Sequence, residues 1–155
     1  QVDKLLYDLK HSPQSRRMIA NMYNHADLSQ RRLYPCAYSF TLNTSGNVLN
    51  GIRNQRSQDM LTANGWNVSQ YAALLAMFAQ VSGLKAGELV HVIADAHIYD
   101  RHVPLIEGLM VREGFAATRL CMDKDVKDFY PFNTENVWLE TYENCGGIGK
   151  IPVAI

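Results

Sequence analysis

With 155 residues, 47% of them hydrophobic and 19% charged, the chain can bury a core and is too apolar to be disordered. Fifteen basic residues balance fifteen acidic ones, which argues against a general affinity for nucleic acid, so any anion site is built locally from a few arginines. No apolar run approaches a membrane span. The three cysteines, Cys36, Cys121 and Cys145, lack C-x-x-C spacing, which argues against a disulfide framework and fits reduced thiols in a cytoplasmic protein.

Val2, Leu5, Leu6 and Leu9 mark the face of a first helix that runs to about Lys10 and stops before Pro13. The chain enters directly on this pattern, from Gln1 and not from a methionine, so a further N-terminal portion is expected. Residues 17–23 read as a strand and 25–32 as a loop. Residues 36–42 form a second strand, with Tyr38, Phe40 and Leu42 on one side. Thr44-Ser45-Gly46-Asn47 is a turn, and residues 48–56 return as a hairpin partner that brings Arg56 beside Cys36. Residues 67–81 are the clearest helix, with Gly83 just past its end. Residues 88–94 read as a buried strand, 101–112 as a second long helix, and 117–122 and 137–142 as further strands. The pattern is α+β in a single domain, 1–155.

Several residues suit the chemistry of a nucleotide. Cys36 follows a proline, and a thiol becomes a good nucleophile when a positive neighbour such as Arg56 favours its anion; a buried inert cysteine is the alternative. Arg16 and Arg17, and Arg56 with Ser57, suit phosphate oxygens; the first pair also reads as solvated surface. Asp59 can accept from a heterocycle or serve a turn. The amide of Asn67 offers one donor and one acceptor to a pyrimidine edge, or caps the helix. His97 and Tyr99 share a side of an extended segment and can hold a sugar hydroxyl. Asp95, His97 and His102 match no standard zinc spacing, so no metal is expected. Tyr34, Tyr38, Phe40, Trp66 and Trp138 read as core or pocket wall.

In order, Ser15-Arg16-Arg17, Pro35-Cys36, Gln55-Arg56-Ser57 with Asp59, Asn67 with Tyr71, Asp95-Ala96-His97-Ile98-Tyr99 with His102, and Pro152-Val153-Ala154-Ile155 resemble the C-terminal portion of the thymidylate synthase family, in a bacterial and phage branch. The resemblance implies a mixed or antiparallel sheet packed with helices, one sheet face used for dimerisation. It also implies reductive methylation of dUMP to dTMP, with 5,10-methylenetetrahydrofolate supplying carbon and hydride and no metal or nucleic acid required. Carried over by position, Cys36 adds to the uracil ring and Arg56 with Ser57 binds the phosphate, supported by Gln55. Asn67 reads the base, Asp59 contacts base and folate, and His97 with Tyr99 holds the 3′-hydroxyl. Trp66, Ala154 and Ile155 lie at the folate, and Arg16 and Arg17 reach into the other subunit of a homodimer. A dUMP or dCMP hydroxymethylase of the same fold and a non-catalytic nucleotide-binding fragment are the alternatives. The chain departs from the family pattern at Ala37, where histidine is common, at Ala63-Asn64-Gly65-Trp66, where Gly-x-Pro-Phe is usual, at Ala94 in place of glycine, and at Gly149-Lys150-Ile151 in the tail.

Overall fold

Eight consecutive residues, Val48–Gln55, alternate between part-buried and buried positions and make the spine of the structure, a computed structural model that describes residues 1–30 and 33–153. In chain order it runs α1 (Val2–His11), β1 (Ile19–Asn21), α2 (His25–Leu28), β2 (Ala37–Ser45), β3 (Val48–Gln55), β4 (Gln58–Asp59) and α3 (Asn64–Val81). It continues with β5 (Lys85–Ile93), β6 (Ala96–His97), a 3-10 turn (Asp100–His102), α4 (Val103–Met110), β7 (Arg119–Met122) and β8 (Val137–Glu140). The main sheet has the order β1-β2-β3-β5, antiparallel except for the parallel β3–β5 pair. Small two-stranded sheets join β4 to β6 and β7 to β8. The fold is α+β with a mixed sheet.

The β2–β3 hairpin closes on a two-residue loop, Gly46-Asn47, in which Gly46 takes φ 60°. Phe40 and Leu42 of β2 and Leu49 of β3 face α3, where Leu75, Phe78 and Ala79 meet them; Leu5 and Leu9 of α1 and Met18 complete the core. The end of α3 is fixed by Gly83 at φ 69°, with Leu84 N–H donating to the Ala79 carbonyl at 2.9 Å and Gly83 N–H to that of Gln80 at 3.2 Å.

Two bulges alter the expected alternation. Ala37 pairs with Gln55 and Ser39 with Asn54, so Tyr38 is the extra residue. Tyr38 is therefore 39% exposed and does not share the buried side of Phe40 and Leu42. On β5, Gly87 and Glu88 stand against the single Asn50, whose Oδ1 accepts the Glu88 N–H at 3.0 Å. Beyond it Val90 and Val92 are 46% and 47% exposed, so the strand is not buried on both faces as its apolar run suggests. They join Ile19, 52% exposed, on a sheet face that no helix covers among the described residues.

Other boundaries move for local reasons. The start of the stretch read as a loop is the one-turn α2, because Asn24 Oδ1 accepts the Ala26 N–H; Arg31 and Arg32 lie outside the described residues. The strand read over 17–23 pairs only through β1. The second long helix shrinks to the 3-10 turn and α4, since Pro104 lacks an N–H and suits only a first turn. The strands β4 and β6 are too short to carry a sequence pattern.

The inner face has one polar patch, where Arg53 of β3 pairs in register with His91 of β5. Burial, then the charge of Arg53, lowers the His91 pKa from its ordinary 6.5. The unfolded chain thus takes up the proton first as pH falls through 6.5, and native stability is lost on acidification below that point. Urea unfolding at pH 7.5 and below 6.5 is expected to show this loss, and His91→Gln is expected to flatten it. A second expectation concerns Gly51. A Cβ there would stand 2.7 Å from Cε2 of the buried Phe40 ring. Gly51→Ala is expected to cost about 1–3 kcal/mol in the same unfolding experiment.

Candidate active site

The hairpin ends where the nucleophile candidate begins. Arg56 N–H donates to the Cys36 carbonyl at 2.9 Å, one step beyond the Ala37–Gln55 pair. Because the Tyr38 bulge shifts the alternation, Cys36 and Arg56 project to the same side. The guanidinium is gripped by main chain: Nε donates to the Pro35 carbonyl at 3.1 Å and Nη2 to that of Tyr34 at 2.8 Å. This holds Nη2 4.0 Å from Cys36 Sγ. The thiol is free and half-buried, not sealed in the core. Cys36 is therefore a partly accessible sulfur beside a fixed positive charge.

A polar cluster lies on the inner face. Arg53 is fully buried; its Nη2 donates to Gln55 Oε1, and its Cζ stands 4.4 Å from the centroid of the Tyr71 ring. Burial lowers the Arg53 pKa, partly offset by Tyr71 and by the nearby Cys36 thiol. Burial likewise raises the Tyr71 hydroxyl, partly offset by Arg53. Gln55 Nε2 donates to the Ser57 carbonyl at 2.7 Å and to Gln58 Oε1. Asn67 Nδ2 reaches Gln58 Oε1 at 3.5 Å. Asn67 is not the helix cap. α3 begins three residues earlier, after Ala63, and Asn67 N–H already bonds the Ala63 carbonyl at 2.9 Å. Its side chain is thus free of capping and faces the Gln55–Gln58 pair.

A third group sits beside β4 and β6, which pair Asp59 with His97. Asp59 Oδ1 accepts the Leu61 and Thr62 N–H groups at 2.9 and 3.1 Å, so it does serve a turn. Burial works to raise its pKa, but the Thr62 hydroxyl, these two amides and His102 prevail and hold it below its ordinary 3.8. The Tyr99 ring meets His97 and His102 edge-on, at 5.2 and 5.6 Å. His102 is buried and its Nε2 donates to the Pro152 carbonyl at 2.8 Å, while Arg101 Nη1 donates to that of Val153 at 2.5 Å. The tail is thereby tied next to the Asp59 group. Ala154 and Ile155 lie outside the described residues.

Some candidates stand apart. Arg16 and Arg17 are exposed just ahead of β1, and neither side chain bonds the Cys36 group among the described residues. Trp66 is 82% exposed and lines an open depression with Leu61, Ser69, Leu139 and Tyr142. Of the five aromatics read as core or wall, only Phe40 is core; Tyr34 and Trp138 are 42% and 48% exposed. Among the described residues, no three His, Cys, Asp or Glu gather as a metal site. No helix among them is long and apolar enough to cross a membrane. Sequence reasoning missed Arg53, Gln58 and His91. The signal was available for Arg53, which holds an inward position in the alternation Leu49, Gly51, Arg53, Gln55.

Comparison with known proteins places the family and the fold. The family model described as thymidylate synthase matches residues 1–155. The thymidylate synthase of Bacillus phage phi3T is 40% identical over 144 residues, 93% of this chain and 52% of that protein. That of Bacillus atrophaeus is 39% identical over 144 residues, 93% of this chain and 63% of its own length. The solved structure of thermostable thymidylate synthase A from Bacillus subtilis superposes with a TM-score of 0.90 at 36% identity, covering 99% of this chain and 54% of that one. The chain spans about half the length of most of the curated relatives it matches. By family model, sequence identity and fold together, the chain belongs to the thymidylate synthase family.

Proposed function

We propose that this chain carries the nucleophile and base-reading part of a thymidylate synthase, an enzyme that converts dUMP to dTMP. The observation that carries this reading is the accessible Cys36 sulfur held 4.0 Å from an Arg56 nitrogen, in a chain of this family. The thiolate adds to carbon six of the uracil ring. The electron pair of the ring double bond moves toward carbon five and the adjacent carbonyl, making carbon five nucleophilic. 5,10-Methylenetetrahydrofolate supplies the one-carbon unit and the hydride as cosubstrate. Arg56 and Ser57 bind the phosphate and Gln55 supports them. Asn67 reads the pyrimidine edge, and Asp59 contacts base and folate. His97 and Tyr99 hold the 3′-hydroxyl. Trp66, Ala154 and Ile155 serve the folate. A dianionic phosphate accounts for arginines clustered in a neutral protein, and a neutral base for an amide at position 67.

We further propose a cytoplasmic homodimer, with residues 1–155 as one domain equivalent to the C-terminal portion of the family's catalytic unit. Exposed Ile19, Val90 and Val92 support a sheet face covered by a second copy. Arg16 and Arg17, ahead of the edge strand β1, then reach the phosphate of the other subunit.

Two experiments test these readings. Denaturing intact mass of the intact protein after incubation with 5-fluoro-dUMP and methylenetetrahydrofolate is expected to show a ternary adduct at Cys36. Cys36→Ala should lose the adduct and keep most nucleotide affinity; an adduct elsewhere, or none in the wild type, rejects the assignment. Val92→Glu is expected to shift the protein from dimer toward monomer in sedimentation, because it buries an unpaired carboxylate at the interface.

A further inference from the structure

Three buried polar side chains on the inner face have no role in the reading above as ligand contacts. Arg53, Gln55 and Gln58 are each no more than 1% exposed. Burying them is costly unless their bonds are made, and Arg53 Nε and Nη1 find no partner among the described residues. We propose that Arg53, Gln55 and Gln58 form a hydrogen-bond relay that converges on Gln58 Oε1 as acceptor and so fixes the amide orientation of Asn67, and with it the pyrimidine edge that the site accepts. The proposal rests on Asn67 as the base reader.

The direction follows from groups that can act in one sense only. A guanidinium donates and never accepts, so Gln55 must turn Oε1 toward Arg53. The Ser57 carbonyl only accepts, so Gln55 must turn Nε2 toward it. Both ends demand the same orientation. Gln58 is fixed likewise: its Nε2 donates to the Asp59 carbonyl at 3.0 Å, which leaves Oε1 for Gln55 and Asn67. Asn67 must then present Nδ2 to Gln58 and keep Oδ1 free. His91 adds a second lock, because its Nε2 lies 3.2 Å from Gln55 Oε1 and must carry the proton to bond there. Burial and Arg53, which lower the His91 pKa, favour that neutral ring.

A free amide turns over and offers its donor and acceptor in either order. It then matches uracil, with a ring N–H beside a carbonyl, and cytosine, with a ring acceptor beside an amino group. A locked amide matches one, and the other base leaves a buried donor facing a donor. Gln58 is thus a positioning residue for specificity.

The test is equilibrium binding of dUMP and dCMP to the intact protein. Wild type should prefer dUMP, and folded Gln58→Leu should cut the preference about tenfold, largely by gaining dCMP affinity. Gln58→Glu, which keeps the acceptor, should hold it. An unchanged ratio in Gln58→Leu overturns the relay. A dCMP preference that collapses the same way upholds the relay and overturns the dUMP reading, whereas binding of neither nucleotide overturns both. If Gln58→Leu does not fold, ring nitrogen shifts of His91 in the unaltered protein decide. A neutral Nε2–H ring supports the relay, and an Nδ1–H ring overturns it.

Discussion

The site depends on the antiparallel ladder between β2 and β3. Its last rung, Arg56 N–H to the Cys36 carbonyl, joins residues twenty apart in sequence and fixes both on one side of the sheet. That outcome needs the bulge at Tyr38. Without the extra residue the alternation would run unbroken from Leu42 to Cys36, and Cys36 would project with Phe40 into the core. The same bulge costs the buried position of Tyr38. A local irregularity in pairing thus decides whether the thiol is an inert core group or an accessible sulfur next to a cation.

Charge is placed with the same economy. The chain is neutral overall, yet two guanidinium groups act on the region of Cys36, and they differ in kind. Arg56 is half-buried and held by two main-chain carbonyls, so its position does not depend on neighbouring side chains. Arg53 is sealed in the interior, where its charge is tolerated through Gln55 and the face of Tyr71. A cation in low dielectric acts over a longer range than one in water. It also imposes a donor-only terminus on the Gln55 amide beside it.

The sequence made the hairpin, α3 and the Gly83 stop legible because each rests on a local cue: a Gly-Asn loop, an apolar face, a glycine able to take positive φ. Proximity of Arg56 to Cys36 followed from counting rungs. What stayed hidden depends on non-local facts. Bulges at Tyr38 and Gly87 are set by the partner strand and invert the side on which a residue falls. The exposure of Val90 and Val92 depends on which faces the helices cover, which no strand pattern records. Two-residue strands such as β4 and β6 have no periodicity to detect, although they alone bring Asp59 against His97. Arg53 carries the clearest missed signal, a charge at an inward position.

The tail raises a different physical point. His102 and Arg101 hold it through the carbonyls of Pro152 and Val153, not through its side chains. Carbonyl capture is indifferent to side-chain identity, so Gly149, Lys150 and Ile151 can vary without losing the attachment. It also couples two places, since His102 both anchors the tail and helps hold the Asp59 carboxylate below its ordinary pKa. A ligand that contacts Asp59 therefore alters the surroundings of the group that holds the chain end. The buried imidazole of His102 is thus a shared neighbour of the tail and of the Asp59 group.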